Sequence, residues 1–267
     1  MSSVFYREPG NVYPRIVRGD GVYLYDSEGH EYLDGSGGAA VCSVGHGHPE
    51  VLRAISKQLE QCAFAHTAFF TNEPQEQLAG ILRERFGEAD ARVYFLSGGS
   101  EANETAIKLA RQYWVARGEP QRTLFISRQQ SYHGNTLGAL SLSGNPGRRA
   151  LFGPLLQDWP KIAPCYAYRH QQPDETADDY GLRAANTLQA AIDEHGAGNI
   201  AAFVAETVVG ATLGVVPPAG SYFKHIREIC DRNNILLILD EVMSGSGRCG
   251  THFSFEQDGI RPDIVYV

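Results

Sequence analysis

Asp240 ends a run of five aliphatic residues, Ile235 to Leu239, and Glu241 follows it directly. A carboxylate at the mouth of a buried strand loses hydration and needs a cation, a metal or several donors. In open α/β sheets ligands sit outside the carboxyl ends of the strands, so Asp240 is placed to hold a positively charged group of a ligand. The alternative is a cap on the next turn. Glu206 closes an earlier apolar stretch, residues 200–205, at the same edge. It is either a partner of the site or a solvated strand end.

Ser97-Gly98-Gly99-Ser100 lies between an apolar strand and a long helix. Glycine N–H groups, the positive end of the helix and two hydroxyls suit a single phosphate. A Ser-capped helix accounts for the same residues, and neither a Walker loop nor a G-x-G-x-x-G fingerprint is present. Tyr132, beside His133 and Gly134, can lay an aromatic face on a flat ring, or the pair packs under a loop. Val242, two residues past Asp240, would press on the ring's other face, or is core. Phosphate cradle, two faces and a carboxylate for a ring cation at one sheet edge are the binding needs of pyridoxal phosphate, so it is the expected cofactor. No metal is expected. His46 and His48 alternate with glycines, a pair too weak by itself to suggest a metal site.

The elements that must position these residues follow from pattern. Residues 21–25 and 31–33 read as a hairpin, and 50–61 and 74–86 as helices. From residue 92 onward strands (92–96, 123–126, 200–204, 235–239) alternate with helices (101–117, 186–194, 219–232). The pattern is that of a wound α/β sheet with helices on both faces. Ala106, Leu109, Ala110, Tyr113 and Trp114 mark the expected buried stripe of the long helix. Residues 145–179 read as a proline-punctuated excursion, and 261–267 begin another strand, from which the chain reads as truncated. A formal charge of −8 with no basic run argues against nucleic acid. No stretch is apolar enough for a membrane span. Five cysteines, an odd number without C-x-x-C, suggest free thiols and a cytoplasmic setting.

The chain resembles the class III pyridoxal-phosphate aminotransferases, of fold type I. The resemblance is carried by residues 20–29 with Leu33-Asp34-Gly35, by Gly45-His-Gly-His-Pro49, and by Ser97–Glu104 with Ala106–Arg111. It continues through Ser131-Tyr-His-Gly134, Ala205-Glu206, Leu239-Asp-Glu-Val242, Gly245-x-Gly-Arg248 and Pro262-Asp-Ile264. It implies a large domain with a mostly parallel mixed sheet, residues 61–267, and an N-terminal segment, residues 1–60, contributing to a smaller α+β domain. It further implies that Gly99 and Ser100 bind the cofactor phosphate, that Tyr132 stacks on the ring and that His133 is among the cofactor-binding residues. Asp240 would pair with the pyridine nitrogen, Val242 would lie behind the ring and Glu206 would support the site. Asp240 and Glu206 are the expected catalytic pair. A homodimer is implied, with Phe64–Asn72 facing a partner's site; core packing of Phe64, Phe69 and Phe70 is the alternative.

The family's Schiff-base lysine follows the Pro-Asp-Ile strand and is not within residues 1–267. Lys108, on the long helix, and Lys161, in the excursion, are no substitutes. The family's carboxylate-binding arginine and the partner subunit's phosphate-binding threonine also fall beyond these residues. Ala211 stands where ornithine- and 4-aminobutyrate-type members carry a glutamate, Thr207 where proline is usual, and Met243 where glutamine is common. The expected reaction is amino transfer from an amine or ω-amino acid to a pyruvate-like keto acid. A racemase or aminomutase of the same family, or an inactive fragment, are the alternatives.

Overall fold

The computed structural model describes residues 3–267. The chain divides into two compact units, Met1–Glu76 and Gln77–Val267.

In the first unit β1 (Ile16–Asp20), β2 (Tyr23–Asp26) and β3 (Glu31–Leu33) form an antiparallel sheet in that order. The expected hairpin is β2–β3; β1, three of whose five residues are polar or glycine, carried no strand signal. Asp26 closes the turn by accepting the Tyr32 hydroxyl at 2.7 Å and the backbone N–H groups of Glu28 and His30. Those donors, Tyr32 first, hold its carboxyl well below the usual carboxylate range. His46 corrects the sequence reading: its Nε2 lies 2.8 Å from Oδ2 of Asp34, with Cys42 in the same cluster. Cys42 lies only four positions before His46, whereas folding brings Asp34 across twelve. The helix Pro49–Gln61 has Pro49 in its first turn, where a missing N–H costs nothing. Phe64, Phe69 and Phe70 are 80%, 79% and 64% exposed among the described residues.

The second unit is built on five parallel strands in the order β5-β4-β6-β7-β8. They are β4 (Leu124–Arg128), β5 (Lys161–Ile162), β6 (Ile200–Glu206), β7 (Leu236–Asp240) and β8 (Ile264–Tyr266). Every residue of β6 is buried, as its unbroken apolar run requires of a strand covered on both sides. Alternation then sorts the side chains. Phe203, Ala205, Leu237 and Leu239 pack with helices Ala177–His195 and Tyr222–Asn233. Ala202, Val204, Ile238 and Tyr266 pack with helix Gly99–Ala116. The wound α/β arrangement is therefore as expected.

Three details differ. Residues 92–96 form no strand; Tyr94 is 75% exposed. Their apolar, aromatic composition suits a sheet, but no neighbouring strand among the described residues offers them ladder partners. On the Gly99–Ala116 helix Ala106, Ala110 and Trp114 are buried, with Asn103 one turn before. Leu109 and Tyr113 are 50% and 40% exposed, because the sheet covers only the narrower stripe. The excursion at 145–179 contains the edge strand β5 and the first residues of helix Ala177–His195, whose Thr176–Asp179 capping box starts it well before residue 186.

Candidate active site

Register sets the site. In the parallel ladder Glu206 stands beside Asp240, and Asp240 beside Tyr266. With a two-residue period, Asp240 follows Ile238 and Glu206 follows Val204, so both carboxylates face the side of the Gly99–Ala116 helix. Glu241 follows Leu239 and faces the other way.

Asp240 is 7% exposed. Its Oδ2 lies 2.9 Å from Nδ1 of His133, and its Oδ1 accepts the N–H of Val242 at 3.2 Å. His133 is fixed at three points. Its N–H donates to Ser143 Oγ at 2.8 Å, its carbonyl accepts Asn103 Nδ2 at 3.0 Å, and its imidazole meets Asp240. It therefore sits behind the acid and orients it. Tyr266 lies on the other side, its phenolic oxygen buried next to the Asp240 carboxylate. Burial, with the Asp240 carboxylate nearby, holds that phenol well above its usual range.

Glu206 accepts the N–H of Tyr132 through Oε2 and that of Gly210 through Oε1, both at 3.3 Å. Burial pushes its carboxyl up, and His133 and Arg128 oppose the rise. Arg128, at the end of β4, escaped the sequence reading. It is 2% exposed, donates to the carbonyl of Glu206, and has its guanidinium 5.9 Å from the ring centres of both Tyr222 and Phe223. The available signal was the one that marked Asp240: a charge ending an apolar strand.

The turn before the long helix is not a Ser-capped start. Gly98 occupies the capping position, without a side-chain bond to the first turn. The first N–H groups of the helix thus keep their donors for an anion. Ser100 Oγ accepts the N–H of Asn135 at 2.9 Å, leaving its hydroxyl proton to donate elsewhere. Two glycines make the closeness possible. A Cβ on Gly99 would stand 2.9 Å from Val242, and one on Gly134, at φ 133°, 2.5 Å from Ser100 Oγ. Gly99, Ser100, Tyr132, His133, Glu206, Asp240 and Val242 are therefore linked through contacts at one sheet edge. Val242 leaves 44% of its surface open, and Tyr132 is half-buried. A buried acid, an open apolar side chain, an aromatic ring and free helix donors fit a phosphorylated aromatic cation such as pyridoxal phosphate.

Glu241 is structural. It accepts Thr207 Oγ1 at 2.8 Å and the N–H groups of Ser254 and Phe255 at 2.7 and 2.8 Å. Thr207 also donates its N–H to the Asp240 carbonyl at 3.2 Å, a bond that a proline in its place could not make. Lys161 is committed to the carbonyls of Ser141 and Trp159. Burial, with Arg149 close by, lowers its pKa to about 8.

The sequence model of the family described as Aminotransferase class-III matches residues 5–267. An uncharacterized aminotransferase of Schizosaccharomyces pombe is 44% identical over 265 residues, covering 99% of this chain and 58% of that protein. The putrescine–pyruvate aminotransferase of Pseudomonas aeruginosa is 36% identical over 253 residues, 94% of this chain and 55% of the relative. Among solved structures, the omega transaminase from Pseudomonas jessenii in complex with PMP superposes with a TM-score of 0.90 at 32% identity. The match covers 95% of this chain and 56% of that one. The chain thus spans somewhat over half the length of these relatives.

Proposed function

This chain belongs to the class-III aminotransferase family, and we propose that it serves amino transfer from an amine or ω-amino acid to a pyruvate-like keto acid. The cofactor is pyridoxal phosphate, which when bound supplies the electron sink for the carbanion formed at the donor carbon. The observation that carries the reading is Asp240: a buried carboxylate, backed by His133, at the sheet edge that also holds the uncapped helix start.

Each residue then has a task. Gly99 and Ser100 present the phosphate donors. Tyr132 and Val242 bracket the ring. Asp240 holds the proton of the ring nitrogen, and His133 and Glu206 keep that acid and the Tyr132 loop in place. The amine of a relative named for putrescine and the PMP held by another support both substrate class and cofactor. Ala211, where related enzymes carry a glutamate, favours amine donors and pyruvate. The exposed Phe64, Phe69 and Phe70 support a homodimer. Five unpaired cysteines suit a reducing compartment such as the cytoplasm. Among the described residues no helix is long and apolar enough to cross a membrane.

The test is spectroscopic. The full-length protein should be yellow with pyridoxal phosphate, bleach with an amine donor and recover its colour with pyruvate. A protein whose spectrum no amine changes would refute the reading. Racemisation of a chiral donor without any keto acid would move the assignment to a racemase of the same family.

A further inference from the structure

We propose that Asp34, Cys42 and His46 form a zinc site in the first unit, a second chemical centre that goes beyond the aminotransfer reading and does not rest on it. Among the described residues this is the one place where three metal-ligating donors converge. A carboxylate oxygen, a sulfur and an imidazole nitrogen all lie within 4.8 Å of one another.

Each donor is mounted by backbone bonds that need no metal. The Asp34 N–H donates to the Val22 carbonyl at 2.8 Å, next to Gly21, which exchanges two backbone bonds with His46 at 2.7 and 3.0 Å. The Cys42 N–H donates to the Gly37 carbonyl at 2.8 Å, and the Cys42 carbonyl accepts the Gly45 N–H at 3.1 Å. Glycine makes the approach possible. A Cβ on Gly45, at φ 77°, would stand 2.7 Å from the Gly21 carbonyl oxygen, and one on Gly19 2.7 Å from the His46 Cβ. The side chains are shielded yet reachable: His46 is 20% and Asp34 10% exposed, and Cys42 is half-buried and forms no disulfide.

The donor set selects the ion. Calcium and magnesium take oxygen ligands, whereas one sulfur, one nitrogen and one carboxylate suit zinc. Zinc bonds of about 2.0–2.3 Å hold tetrahedral ligand atoms roughly 3.3–3.6 Å apart. The Nε2–Oδ2 contact of 2.8 Å would therefore open by about half an ångström, a small shift for partly exposed side chains. The bond from His46 already lowers the Asp34 carboxyl below its ordinary value, so the acid is ionised and ready to coordinate. On binding, the Cys42 thiol gives its proton to solvent, and His46 coordinates as the tautomer that carries its proton on Nδ1. Water completes the fourth position. The ion would tie both ends of the glycine-rich stretch 35–45 to the turn between β1 and β2.

The experiment uses the full-length protein, cleared of metal by dialysis against a chelator, and titrates Zn2+ in competition with a chromophoric chelator. One zinc per chain should bind at this cluster. Cys42→Ser and His46→Gln are each expected to weaken it by about a hundredfold or more, since losing even an outer partner of a ligand costs about 10–100-fold. Cys62→Ser, at an exposed thiol outside the cluster, should change nothing. X-ray absorption at the zinc edge should show one sulfur among nitrogen and oxygen ligands. No zinc binding, a first shell without sulfur, or affinities unchanged in Cys42→Ser and His46→Gln (an adventitious ion only) would overturn the proposal. Should a variant fail to fold, alkylation of the unsubstituted protein, read by mass spectrometry, decides instead. Zinc that slows modification of Cys42 but not of Cys62 sustains the site, and zinc that leaves Cys42 equally reactive removes it. None of these readouts involves an amine or the cofactor, so they stand apart from the spectroscopic test of amino transfer.

Discussion

His133 and Asp240, 107 residues apart in sequence, meet at 2.9 Å between Nδ1 and Oδ2 with both side chains buried. The other Asp240 oxygen accepts the Val242 N–H at 3.2 Å. This pair sets the geometry that every cofactor-directed role of Asp240 depends on.

Replacing Asp240 by Asn keeps the shape and removes the negative charge. In the full-length protein this should slow the half-reaction by about a hundredfold or more, the scale of losing one preorganised electrostatic contact. Rapid-mixing absorbance measures it, and equilibrium dialysis should show weaker retention of pyridoxal phosphate. Undiminished turnover would contradict the assignment.

His133→Leu leaves Oδ2 of Asp240 buried without its donor. The expected loss is about 1–3 kcal/mol of stability, the cost of one orphaned buried polar group. Urea unfolding against the unsubstituted protein reads it directly, and a midpoint that does not move would mean the contact is dispensable.

Gly134→Ala places a methyl group 2.5 Å from Ser100 Oγ and 2.9 Å from Ala139 Cβ, on a backbone with φ 133°. Ser100 must shift, so affinity for pyridoxal phosphate should fall along with about 1–3 kcal/mol of stability. Titration of the apo protein with pyridoxal phosphate, beside a thermal melt, separates the two effects.

Asp258 supplies a pH test. Burial raises its carboxyl to about 6, with Lys224 opposing. A carboxyl raised in the folded state binds its proton more tightly there than in the unfolded chain. Folding stability is therefore lost as pH climbs from the ordinary carboxylate range through 6. Asp258→Asn removes that penalty. The variant should be more stable than the parent at pH 7.5, by about 1–2 kcal/mol, and the advantage should shrink by pH 5. Equal unfolding midpoints at both pH values would refute the buried-acid account.

What the amino acids declare depends on distance. The β7 strand and its terminal acid were legible because five aliphatics in a row have few other fates. The glycine–serine turn ahead of the long helix was legible from composition, although the strand expected before it is absent and only the fold showed Gly98 at the capping position. The His133 contact with Asp240 could not be seen, since nothing local ties residues so far apart. Arg128 was missed because cations are usually exposed, and its burial follows from the Tyr222–Asn233 helix covering it. Residues 92–96 failed in the opposite sense: strand-like composition describes a willingness to pair, and pairing needs a neighbour.

The side-by-side placement of Glu206 and Asp240 also bears on how the chain finds its fold. Parallel strands have no tight hairpin to align them, and an aliphatic run slides past its neighbour with little change in apolar burial. A shift of one step would carry Asp240 to the opposite side of the sheet, away from His133 and into hydrocarbon. Misaligned forms are therefore penalised by an ion with nowhere to go, and the residue proposed to grip the ligand doubles as the proofreader of strand alignment.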